Sequence, residues 1–99
     1  MWYLILASDV DDSLAARLEA RPHHLARLKA LQEEGRLKLA GPLPAIDAED
    51  PGEAGFTGSV IVASFSSLDA AKAWAADDPY VHAGVYDTML VKPYRHVLP

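Results

Sequence analysis

The sequence predicts an α+β domain of β-α-β-β-α-β order, its four strands forming one antiparallel sheet with both helices on one face. Three observations predict it. Apolar runs bounded by turn residues occupy residues 2–7, 59–65 and 85–91 and read as strands. Leu25, Leu28 and Leu31 recur at helical spacing before Gly35. A second helix starts after Ser66-Ser67-Leu68-Asp69, where Ser66 and Asp69 have capping-box spacing, and its buried stripe is Leu68, Ala71, Trp74 and Ala75.

In chain order, residues 2–7 are rich in β-formers and end at Ser8-Asp9. Residues 13–20 carry helix formers behind Asp11, Asp12 and Ser13, and Pro22 then breaks or kinks the pattern by disfavouring helical geometry at Arg21. The best helix runs over residues 22–34. A short strand, residues 37–40, leads to Gly41-Pro42, and a long acidic loop follows over residues 43–57, of a length that often covers a site. Pro79 ends the second helix, and residues 79–83 form one further turn closed by Gly84. Because the strands are apolar on both sides, the sheet face without helices must meet another surface, and a homodimer packed sheet to sheet is the expected arrangement.

Ninety-nine residues suit one domain, and 51% hydrophobic content suits a packed one. With 14 acidic and 9 basic residues the net charge is −5, and no basic stripe is present, which argues against nucleic acid and anionic membrane as partners. The absence of cysteine excludes disulfides, thiolate nucleophiles and cysteine-based metal sites. The apolar start meets Asp9, Asp11 and Asp12 too soon for a signal or membrane segment, so a cytoplasmic protein is expected. No glycine-rich nucleotide motif and no histidine ligand spacing occurs, so neither a cofactor nor a metal is expected.

His24 lies four residues before Leu28 and seven before Leu31 and points inward with them. An inward imidazole suits a general acid or base, and equally a structural histidine bonded to backbone. Asp78, forced into a corner by Pro79, suits the N-cap of the next turn and, if it meets His24, an orienting carboxylate. Arg21 offers either an anchor for an anionic substrate group or a surface ion pair, while Tyr80 and Tyr86 suit a pocket wall, the core or an interface.

The segments Trp2-Tyr3-Leu4-Ile5-Leu6, Arg21-Pro22-His23-His24-Leu25, Gly55-Phe56-Thr57-Gly58-Ser59, Asp77-Asp78-Pro79-Tyr80 and Val91-Lys92-Pro93-Tyr94 resemble the YciI-like, or YCII-related, family along the whole chain. That resemblance implies a ferredoxin-like fold, a dimeric α+β barrel and an active-site pair carried here by His24 and Asp78. The family is similar in fold to muconolactone isomerases and includes an enzyme that removes chloride from a chlorinated hydroxyquinol. The expected function is therefore a cofactor-free isomerase, lyase or dehalogenase acting on a small cyclic or aromatic molecule, with Arg21, Tyr80 and Tyr86 on the substrate. The alternative is a dimeric module that binds a small molecule without turning it over.

Overall fold

The computed structural model describes residues Met1–Pro99. Strand β1 (Trp2–Asp9) leads to helix α1 (Leu14–Glu33), strand β2 (Leu37–Pro44), strand β3 (Phe56–Ser64), helix α2 (Leu68–Ala76), a short helix α3 (Pro79–His82) and strand β4 (Tyr86–Tyr94). All neighbouring strands are antiparallel, in the order β2-β3-β1-β4. The fold is the four-stranded ferredoxin-like α+β arrangement that the sequence predicts.

Side chains alternate across the sheet. Tyr3, Ile5 and Ala7 of β1 lie opposite Ala63, Ile61 and Ser59 of β3 and opposite Pro93, Val91 and Met89 of β4, all on the face covered by the helices. There Ile5 and Ile61 are each 2% exposed and pack with Leu28 and Leu31 of α1 and Ala71 and Ala75 of α2. Truncating either isoleucine to alanine costs about 2–5 kcal/mol by the usual scale for core cavities. The opposite face carries Leu4, Leu6, Leu39, Val60, Val62 and Leu90. Leu39 and Leu90 are among the large apolar side chains left exposed, and no element of the chain covers this face.

Three local expectations change. Pro22 does not break α1, which runs unbroken for 20 residues. Its ring and Leu18, whose carbonyl loses its helical donor, both lie on the exposed side of the helix, where the freed carbonyl is not enclosed by the core. Strand β2 continues beyond Ala40 through Gly41, Pro42, Leu43 and Pro44, because an edge strand tolerates prolines on its unpaired side. The cap of α2 is Ser67, whose hydroxyl accepts the Ala70 N–H at 3.0 Å, one residue later than the capping-box spacing suggests. The turn at Pro79–His82 forms as expected, and Gly84 closes it at φ +73°, a left-handed conformation that glycine adopts without penalty.

Candidate functional site

Arg17, Ala20, His24, Leu28 and Leu31 recur every three or four residues along α1 and form its buried stripe. Two of the five are polar, and the chain provides for both. His24 is 6% exposed and donates from Nδ1 to the Asp78 carboxylate, at 2.9 Å to Oδ1 and 3.0 Å to Oδ2. Asp78 is 2% exposed, and its Oδ1 also accepts the Tyr80 N–H at 2.8 Å, so one carboxylate caps α3 and holds the imidazole. With Nδ1–H given to a carboxylate, the lone pair of the neutral ring sits on Nε2, which has no partner in the protein.

The Tyr80 ring stacks on His24 at 4.0 Å between centroids and 14° between planes. Its hydroxyl-bearing neighbour Tyr86 meets it edge-on at 5.5 Å. The Arg17 guanidinium lies 4.9 Å from the Tyr80 centroid, so the tyrosine fills the two-turn gap between Arg17 and His24 on α1. Arg17 grips Asp9 with two nitrogens, at 2.5 Å and 3.0 Å, and its Nη2 also donates to the Gly58 carbonyl at 2.7 Å and Ser59 Oγ at 2.8 Å. Burial disfavours the Arg17 charge, but the bonds and attraction of Asp9 outweigh it and hold the guanidinium pKa above its ordinary value.

A cavity of about 590 Å³ opens between α1 and strands β2 and β3. His24, Arg17, Arg21, Tyr80 and Ser59 line it among leucines, Phe56 and Ile61. Asp78 and Tyr86 stand behind the wall, Asp78 against His24 and Tyr86 against Tyr80. Arg21 is exposed at the cavity rim and forms no ion pair. Of the expected loop over residues 43–57 only Phe56 lines the cavity, and it belongs to β3: the two strands extend to Pro44 and from Phe56, and none of the intervening residues from Ala45 to Gly55 reaches the cavity wall.

Sequence reasoning missed Arg17, its partner Asp9, and Ser59. The signal was available for Arg17, which lies seven residues before His24 in the same stripe as Leu28 and Leu31. Ser59 announces itself only through strand pairing, opposite Ala7 on the covered face.

Burial raises the pKa of both Tyr80 and Tyr86 above the ordinary value of 10.0. For Tyr80 the charge of Arg17 opposes the shift; for Tyr86 the nearby Ser59 hydroxyl, outside hydrogen-bond geometry, pulls the other way. An unfolded tyrosine releases its proton near pH 10 while these two retain theirs. Their contribution to stability is therefore fully present below pH 10.0 and is lost as pH rises through the higher native values. The expected result is a denaturation midpoint that falls steeply above about pH 10, with a shallower fall in Tyr86→Phe. At neutral pH Tyr86→Phe should gain about 1 kcal/mol, since the Tyr86 hydroxyl is buried without a partner. Urea melts of both chains across the alkaline range check this, and parallel curves would contradict it.

A small ferredoxin-like domain with a buried histidine–aspartate pair beside a partly apolar cavity defines the class. The chain belongs to the YCII-related domain family, which matches residues 1–95. It is 60% identical over 97 residues to Protein YciI of Escherichia coli, covering 98% of this chain and 99% of that one. It is 59% identical, with the same coverage, to an uncharacterized protein of Haemophilus influenzae. Among solved structures, it resembles the 5-chloro-2-hydroxyhydroquinone dehydrochlorinase of Burkholderia phenoliruptrix, determined in complex with 2,5-dihydroxybenzoquinone, at a TM-score of 0.85. Sequence identity there is 26%, over 98% of this chain and 96% of the dehydrochlorinase.

Proposed function

We propose that the protein is a small enzyme that moves protons on a flat cyclic or aromatic substrate, with His24 as general base and acid and Asp78 as its orienting carboxylate. The observation that carries this reading is a single one: the imidazole is bonded at Nδ1 to a buried carboxylate while the same ring lines a cavity of about 590 Å³. Nε2 takes a proton from a C–H or O–H made acidic by a ring carbonyl, and the freed electron pair moves toward that carbonyl oxygen. Returning the proton to another ring carbon completes an isomerisation; expelling a halide instead completes a dehalogenation. Tyr80 backs the imidazole and meets the substrate from the cavity wall, Arg21 meets an anionic group at the rim, and Tyr86 braces Tyr80. The fold likeness to a dehydrochlorinase favours such chemistry over binding alone. No step in this sequence needs a cofactor.

The test is a panel of hydroxyquinones, lactones and halogenated phenols, followed by proton NMR and halide release. Turnover that Asp78→Asn lowers by at least about tenfold supports the reading. Tight binding of a panel member with no turnover would replace it with the binding-module reading.

We propose further that two copies pack through the uncovered sheet face, since Leu4, Leu6, Val60 and Leu90 would otherwise leave a contiguous apolar surface in water. Sedimentation should give a dimer for the natural chain and a monomer for Leu6→Glu/Leu90→Glu. A double variant that still sediments as a dimer would place the interface elsewhere.

A further inference from the structure

We propose that Ser59 is the group that holds the substrate's oxygen, its hydroxyl donating a hydrogen bond to a ring carbonyl or phenolate; this rests on reading the cavity as a substrate site. Ser59 is 4% exposed and lines the cavity from the covered face of β3. Its Oγ accepts the Arg17 Nη2–H at 2.8 Å. A hydroxyl has one hydrogen and arginine is only a donor, so that bond leaves the Ser59 hydrogen unused.

No protein acceptor meets it within hydrogen-bond geometry. The Tyr86 hydroxyl, buried without a partner, stands near Ser59 but outside that geometry, and no carbonyl or carboxylate accepts from Ser59 Oγ. Arg17 is permanently charged and fixed by Asp9, and its bond polarises the serine oxygen and makes the remaining O–H a stronger donor. The cavity thus has two poles, a base at His24 Nε2 and a donor at Ser59.

The poles are set apart along α1. Arg17, which fixes the donor, and His24 stand seven residues apart, about 10.5 Å along a helix axis, with the Tyr80 ring between them. Ser59 and His24 line the same cavity of about 590 Å³, which has room for a ring that carries an oxygen toward one and its acidic C–H or O–H toward the other. As His24 removes that proton, the electron pair delocalises through the ring onto the oxygen held by Ser59. Reprotonation at a second ring atom, or departure of an anion, returns the oxygen to its carbonyl or hydroxyl form. One such donor commonly contributes 10²- to 10³-fold to a rate.

The experiment measures binding of two probes, 4-nitrophenolate and the uncharged 4-nitroanisole, to the natural chain, Ser59→Ala and His24→Gln. Ser59→Ala is expected to lose about 10- to 100-fold in affinity for the phenolate while binding the anisole within about twofold of the natural chain. His24→Gln is expected to keep the preference for phenolate. Unchanged phenolate affinity in Ser59→Ala, or an equal fall for both probes, overturns the donor role and leaves Ser59 as wall. Absence of binding by either probe to the natural chain removes the substrate-site reading and this inference with it. Ser59-dependent binding without turnover of any panel compound would sink the proposed reaction and leave the donor in place.

Discussion

His24→Gln is expected to lower turnover of whichever ring compound the panel identifies by about 10²- to 10⁴-fold, with a much smaller change in KM. Glutamine fills a similar volume and keeps a polar end, but it neither titrates nor offers a basic lone pair. The loss should equal or exceed that of Asp78→Asn. Asparagine retains an oxygen for the Tyr80 N–H yet no longer fixes which imidazole nitrogen carries the proton. Steady-state kinetics of both variants decide it: a His24→Gln enzyme within tenfold of the natural rate would remove the histidine from the chemistry. The double variant should be no slower than His24→Gln alone, because the two side chains act as one unit.

Gly58→Ala is expected to cost about 3 kcal/mol of stability. A Cβ at position 58 would stand 2.1 Å from the Ala7 carbonyl oxygen, which belongs to the backbone of β1 and cannot turn aside. Relief requires β1 and β3 to separate at the Ser8–Gly58 pair, next to the carbonyl that Arg17 holds at 2.7 Å. For a chain of this length the expected fall in Tm is roughly 12–24 °C. Gly41→Ala is the control, since nothing lies within 4 Å of its added carbon. Equal melting temperatures for the two variants would contradict the steric account.

The strands and the helix order were legible because burial imposes a period on them. Tyr3, Ile5 and Ala7 alternate with Leu4 and Leu6, and Leu25, Leu28 and Leu31 repeat at the helical spacing. Pro22 and Pro42 misled because proline signals a local conflict that an exposed helix face or a sheet edge resolves, and neither location is a local property. At the site, Asp78 could be read from its proline and His24 from its stripe. The role of Ser59 depends on Arg17, 42 residues away in sequence, and Arg17 in turn on Asp9, so no single window contains the arrangement. The loop was misjudged for the same reason, since where it passes depends on how far β2 and β3 extend.

The bond between His24 and Asp78 joins positions 54 residues apart, and its second half rests on a helix of only four residues. A helix that short does not persist in water by itself, so the carboxylate arrives only when α3 docks against α1. During synthesis the chain therefore carries His24 for more than half its length before the group that orients it exists. The histidine–aspartate pair comes into being at closure, and in a molecule whose α3 has come loose the imidazole has no carboxylate to orient it.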